Sequence, residues 1–333
     1  MGVASAGGRL LVLGGGDNHG NYFNSVEVYG SAEEVMPPPT PPATMTTTNR
    51  NNPTRATWSW NEGPALTIPR SSFGVGVIEQ QLYAVGGRNH TGILNVVEIL
   101  DLQRDTWSLG PTMPTGRRNM GVTAMEGKLY VVGGEDQHFT TLSSVEVYTP
   151  ITQRWTSGVR MITPRQGCGT CAWEGNVYVM GGLDDQGNPL NTLEIFDPGT
   201  QKWHPGPSMG APHIYIGNSV SVFQGKIYVV DTGSSAKPTF TEEEEKINNS
   251  QRRRTLSRYS SYVKGGNPSR SSSVEIFDPM TQKWSVGPIL TGNLLSLGSS
   301  VLDNALYAVG GYDIDKGAPT NHVSVLTSSS LTT

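Results

Sequence analysis

Three arginines recur at one spacing: Arg70, Arg117 and Arg165 each stand four residues before a glycine that opens a segment of small residues. A guanidinium is a planar fork of donors that suits a carboxylate or phosphate held by two hydrogen bonds. Ser71 and Arg118 follow two of them, and Tyr215 and Leu294 stand at the same offset in later segments. Nearby polar loops carry Arg88 and three histidines at near-equivalent positions: His19 in DNHG, His90 in RNHTG and His138 in EDQHF. A shared metal is not expected of them. Equivalent points on neighbouring packed sheets lie roughly 10 Å apart, whereas zinc ligands sit about 2 Å from one ion. Cys168-Gly-Thr-Cys171 has the C-x-x-C form. Redox pairs of that form sit at a helix start, while an offset of three in a strand sends the side chains to opposite faces, so these read as core cysteines. RRRTLS (252–257) offers Thr255 and Ser257 to a basophilic kinase, whose phosphate would add negative charge. Neither a nucleophile elbow nor a phosphate loop nor a metal-ligand cluster is present in the sequence, and no cofactor is expected.

The elements that position these residues follow from composition and repetition. The chain has 333 residues with 41 Gly and 22 Pro, a balance suited to short strands and tight turns. Charged residues make up 16% and the formal net charge is -4, without the basic stripe that nucleic acid or an anionic membrane would require. No apolar run is long enough to span a bilayer as a helix. The opening MGVASAGGRLLVLGGG lacks the charged start and apolar core of a signal peptide and reads as the first strands. Two cysteines are too few for a disulfide framework. The expected location is the cytoplasm, and the sequons at Asn89 and Asn248 are accordingly discounted.

Self-similarity then organises the whole chain. Apolar runs end in glycine pairs at Gly14-Gly15, Gly86-Gly87, Gly133-Gly134, Gly181-Gly182 and Gly310-Gly311, with a worn copy, YVVDT, ending at Thr232. Each is followed by a second run: VEVY to Tyr29, VEIL to Leu100, VEVY to Tyr148, LEIF to Phe196, VEIF to Phe277 and VSVL to Leu326. Seven residues beyond four of these stand Trp107, Trp155, Trp203 and Trp284, and Trp60 takes that part in the first copy. With the small-residue segment upstream, each unit reads as four short strands, A to D, in an antiparallel meander. One such sheet cannot bury both of its faces, but a ring of them can.

Glycine pair, aromatic and tryptophan at this spacing resemble the Kelch repeat over nearly the whole chain. The resemblance implies an all-β, six-bladed β-propeller of four-stranded antiparallel blades, forming a single domain over 1–333. A Pro/Thr-rich loop insertion is expected at 30–57 in blade one, and a charged, disordered one at 234–266 in blade five. Nothing obvious supplies strand D of blade six beyond the weak candidate TSSSLTT (327–333), so that blade is expected to be incomplete.

In a meander the D-to-A and B-to-C turns share one face. Strand A is innermost, so Arg70, Arg117 and Arg165 are expected to rim the channel mouth on that face. Kelch proteins that recognise peptides are similar, with arginines and serines there gripping acidic motifs. The expected function is a stand-alone adaptor or scaffold. It would bind a protein or peptide, with an acidic motif, through Arg70, Ser71, Arg117, Arg118, Arg165, Tyr215, Arg88, His90 and His138. Many Kelch proteins are ubiquitin-ligase receptors with a BTB or F-box domain ahead of the propeller. This chain has none, so a ubiquitin-ligase component would act in trans. The alternative is a Kelch-type enzyme, a sugar mutarotase or an oxidase, working in the channel. Against it, copper ligands of the galactose-oxidase type cannot be placed, the E-x-x-x-D-x-x-x-H motif of plant specifier proteins is missing, and the mutarotase type is exported.

Overall fold

The structure, a computed structural model, describes residues 1–17, 19–31, 58–231, 273–288, 290, 294–313, 316 and 318–327. The segments 32–57 and 234–266, with Thr255 and Ser257, and residues 328–333 lie outside the described residues. Gly30 and Ser31, expected to begin the first insertion, instead extend strand C of blade one, Tyr22–Ser31.

Among the described residues there are strands and turns and no helix. Five sheets run A-B-C-D in chain order, all antiparallel, and the sixth runs A-B-C. Blade three is representative: Gly121–Met125, Lys128–Val132, Val145–Thr149 and Arg154–Ser157. Strand A of each blade lies against strand A of the next, and that of blade six (Gly298–Leu302) against that of blade one (Gly2–Ala6), which closes the ring. The protein is a six-bladed propeller.

The repeated residues do the joining. Each strand-D tryptophan stands opposite the last apolar residue of strand C: Tyr29 with Trp60, Leu100 with Trp107, Tyr148 with Trp155, Phe196 with Trp203 and Phe277 with Trp284. Where that residue is aromatic, the two rings lie 5.0 to 5.3 Å apart. A buried indole N–H needs an acceptor. Trp107, Trp155, Trp203 and Trp284 each donate to a carbonyl just past strand D of the preceding blade, those of Pro64, Pro111, Val159 and Pro207, at 2.7, 2.9, 2.9 and 2.8 Å.

The inner wall is fitted by size. A Cβ at Gly74 would collide with Val122 of the next blade, one at Gly121 with Thr170, one at Gly169 with Val220, and one at Gly298 with Val3. Each strand A thus leaves a hole that a β-branched residue of the following blade fills. Blade five has Ser219 at the glycine position, and its hydroxyl donates to Leu297 O at 2.5 Å. The main cores lie between adjacent blades. The seam between blades six and one is the thinnest, with Val3, Leu10, Leu302 and Val309 buried.

Candidate functional site

The face carrying the D-to-A and B-to-C turns is held together by short ladders between them. Arg117–Arg118 pairs with Glu135–Asp136, Ser71 bridges Arg88, and Gln166 bridges Leu183. The two kinds of turn therefore do share a face.

The arginines expected at its rim are not on it. Arg70, Arg117 and Arg165 are each 0% exposed. Each is paired with the glutamate of strand C in its own blade: Arg70 with Glu98, Arg117 with Glu146 at 2.7 Å and Arg165 with Glu194 at 2.9 Å. Each also donates through Nη1 to the carbonyl of the first glycine of its pair, those of Gly86, Gly133 and Gly181, at 3.0 Å. The preceding blade fixes the same residue by its backbone. The N–H groups of Gly15, Gly87 and Gly134 donate to the carbonyls of Arg70, Arg117 and Arg165 at 2.9, 2.9 and 2.7 Å. The approach to Arg165 O requires its neighbour Gly133, at φ +63°, where a Cβ would strike that carbonyl. Burial pulls the Arg70 and Arg117 pKa values down, and the facing glutamates oppose that shift. The expectation that these three grip a partner is corrected: apart from the buried Arg117 Nε, which has no partner among the described residues, their donors are spent inside the blade, and they act as bolts between blades.

Tyr215 is likewise not their counterpart. In blade five His213 takes the position, 0% exposed and 2.8 Å from Glu275, and its carbonyl accepts from Gly182 N at 2.7 Å. Relative to blade four, two extra residues, about Gly217 and Asn218, precede strand A. They cross the channel mouth. Asn218 Nδ2 donates to Phe73 O at 3.1 Å and to Met1 O at 2.9 Å on the far side. A chain of backbone bonds rings the same mouth, from Asn119 N to Ser72 O, Gly167 N to Asn119 O and Ile216 N to Gly167 O. The channel below, a cavity of about 330 Å³, is lined by Val, Ala, Gly, Ser and Thr together with Cys171.

The remaining expected residues separate into groups. Arg118 is 4% exposed. Its Nε donates to Glu135 Oε2 at 2.7 Å, and its guanidinium lies 5.7 Å from the Phe139 ring. It is therefore a largely engaged cation, not the open hand that was expected. Arg88 differs. It is half-buried, its guanidinium stacks 5.8 Å over Tyr22, and its buried Nε has no acceptor among the described residues. Burial and then the neighbouring Arg118 lower its pKa, while Tyr22, Glu135 and Tyr215 act the other way. Ser71 is partly exposed beside it, and exposed His90 lies 6.4 Å from the Tyr22 ring. His138 is exposed on another blade, its N–H held by Asp136 Oδ1 at 2.9 Å. Asp17 and Asp184 cap their loops in the same way, and Asn89 does so in blade two, so these B-to-C loops are Asp- or Asn-capped turns. Among the described residues no group of three or more His, Cys, Asp or Glu gathers as metal ligands would. Both cysteines are free and buried, and burial pushes the Cys168 thiol up to about 11.

One sequence signal could have located the bolts. Blades two to five each have a glutamate in the strand-C motif and Arg or His at the paired position, blade six, with Ser324, has Leu294, and blade one carries Glu27 without a paired position in the sequence before Gly2.

The Kelch motif model matches residues 1–29, 69–114, 116–162, 164–210 and 264–291. No curated protein matches the sequence. Among solved structures, that of YjhT is similar at 15% identity and a TM-score of 0.67, over 98% of this chain and 96% of that one. That likeness concerns the fold alone. Among the described residues no helix is long and apolar enough to cross a membrane.

Proposed function

The chain belongs to the Kelch family, and from that premise we propose that it is a protein-binding propeller that takes an acidic peptide on its D-to-A and B-to-C face at Arg88. The observation that carries this reading is the buried Arg88 Nε without an acceptor. A buried donor left unmade costs about 1–3 kcal/mol, more when it is charged, and an incoming carboxylate would relieve that cost. Arg88 and Arg118 against the single carboxylate of Glu135 leave the spot net positive. Tyr22, Tyr215, Ser71 and His90 supply a rim of aromatic and polar groups, and the exposed Phe139 and His138 extend it toward blade three.

The channel supports the surface reading over the enzyme. Its lining holds no carboxylate, imidazole or amine, whereas an active site gathers titratable groups of perturbed pKa. Partners captured from lysate by the intact protein are to be compared with those captured by Arg88→Ala, and acidic peptides derived from them titrated calorimetrically. Loss of at least tenfold in affinity at unchanged melting temperature is expected, weakening further with salt. Equal binding by the variant would refute the site.

A further inference from the structure

The repeat sets opposite charges at one position of neighbouring blades. The residue after the glycine pair is Arg88 in blade two and Glu135 in blade three, and the residue after the buried arginine is Ser71 in blade two and Arg118 in blade three. Ser71 bridges Arg88, and Arg118 pairs with Glu135. These two ladders are neighbours, joined where Asn119 N donates to Ser72 O at 2.9 Å. Blade four puts Gln166 and Leu183 at the same two positions and carries no charge there.

Glu135 is buried, and Arg118 fixes it in place. Arg118 Nε donates to Glu135 Oε2 at 2.7 Å, and Nη2 lies 2.5 Å from the same oxygen. Burial aside, the groups that act on Arg88 are Arg118, Tyr22, Glu135 and Tyr215. Tyrosines are neutral at pH 7, so among the described residues the spot holds two positive charges and one negative. An incoming anion is attracted in proportion to its charge. Stripping its water costs as the square of that charge. A carboxylate or a sulfate ester carries one negative charge, and a phosphate monoester carries about 1.5 to 2. With Glu135 cancelling one cation the attraction is small, and the quadratic cost sets the order of preference.

We propose that Glu135 sets the specificity of the Arg88 site, tuning it to singly charged anions of a peptide, carboxylate or sulfate, and turning phosphate away; this rests on the acidic-peptide reading above. Glu135 has a positioning role. It orients Arg118 and meets the charge of the ligand through space, while Arg88 makes the contact through its free Nε. The buried bolts differ: Arg70, Arg117 and Arg165 each face a glutamate of their own blade, so their charges are already balanced.

The test uses the 333-residue protein and acetylated, amidated octapeptides of glycine and serine with one central glutamate, sulfotyrosine, phosphotyrosine or glutamine. Sulfate and phosphate share a shape and differ in charge. Binding is followed at about pH 7.5, where the phosphate is mostly dianionic, by the NMR signal of the Arg88 Nε–H, assigned through its loss in Arg88→Lys. The glutamate and sulfotyrosine peptides should shift that signal saturably and the glutamine peptide should not. Phosphotyrosine should bind more weakly than sulfotyrosine by about threefold or more. In Glu135→Gln, whose amide oxygen still accepts from Arg118, both tyrosine peptides should gain. The removed charge acts in proportion to the charge of the ligand, so a gain of about threefold for sulfate becomes about ninefold for phosphate. A merely structural glutamate would change both by one factor, and equal gains would overturn the proposal. So would phosphotyrosine binding the wild-type protein as tightly as sulfotyrosine, an arm that needs no variant to fold. An Arg88 signal that neither the glutamate nor the sulfotyrosine peptide moves would refute Arg88 as the binding site, and this inference with it.

Discussion

Replacing Arg165 by alanine removes a fully buried side chain that makes four well-formed contacts. These run to Gly181 O and Thr192 O at 3.0 Å each, to Thr192 Oγ1 at 2.7 Å and to Glu194 Oε1 at 2.9 Å. Glu194 remains, 3% exposed, still holding Ile162 N and Thr163 N at 2.8 and 3.1 Å. Breaking a buried ion pair from one side costs about 3–5 kcal/mol, because a charge is left without its partner. Unfolding entropy of about 2.1 cal/mol/K per residue gives about 0.7 kcal/mol/K for a chain of this length, so a loss of 4 kcal/mol lowers Tm by about 6 °C. Adding Glu194→Gln should restore part of this by removing the stranded charge. Arg165→Met with Glu194→Leu should not restore it all, since two backbone N–H groups then lose their acceptor at about 1–3 kcal/mol each. Thermal and urea unfolding, followed by circular dichroism and tryptophan fluorescence, read these differences as a double-mutant cycle. A loss below about 1 kcal/mol for Arg165→Ala would refute the bolt. Loss of a peptide partner at unchanged Tm would return the arginine to the binding face.

Other expectations follow from the same geometry. Trp155→Phe should cost about 1 kcal/mol more than Trp60→Phe in urea unfolding, because among the described residues Trp155 makes an indole hydrogen bond and Trp60 makes none. Gly133→Ala should be strongly destabilising, since its Cβ would strike Arg165 O at φ +63°, whereas Gly7→Ala, at φ +56° with open space, should cost only about 1–2 kcal/mol. Burial raises the Glu275 pKa, but hydrogen bonds from His213, Gly210 and Ala211 outweigh it and hold the carboxylate below its ordinary value. A carboxylate depressed in the folded state stabilises the protein above its unfolded pKa and loses that contribution as pH falls through the folded one. Glu275→Gln should therefore flatten the loss of stability below about pH 4.5, and an unchanged acid limb would count against the pairing.

The fold was legible because its determinants are local and repeated. Glycine pair, alternating strand and tryptophan return at nearly fixed spacing, and Trp60 takes the tryptophan's part in the first copy although an insertion breaks the count there. The arginines were legible as a repeat but not as buried, because a charged residue ahead of a strand ordinarily faces solvent. What reverses this is the glutamate inside VEVY and LEIF, a long-range partner visible only when blades are compared with one another. His213 was hidden by the Gly217-Asn218 insertion, which displaces it by two positions in any alignment counted back from strand A. The orphaned Arg88 Nε and the Asn218 crossing of the channel mouth depend on side-chain placement that spacing does not encode.

The holes and fillers of the inner wall carry a consequence for how such a protein can change its number of units. Gly74 receives Val122, Gly121 receives Thr170, Gly169 receives Val220 and Gly298 receives Val3, always in one rotational sense. Any blade of this type can in principle follow any other, so duplicating one in tandem would leave every junction chemically matched. The obstacle is angular. A seventh member must open the turn between neighbours while each filler stays at the depth of its hole. The inner circumference would widen, the fillers would withdraw, and the Asn218 crossing to Phe73 and Met1 would fall short. The count of blades is thus held by the span across the mouth and the depth of the inner fit, which no single repeat specifies.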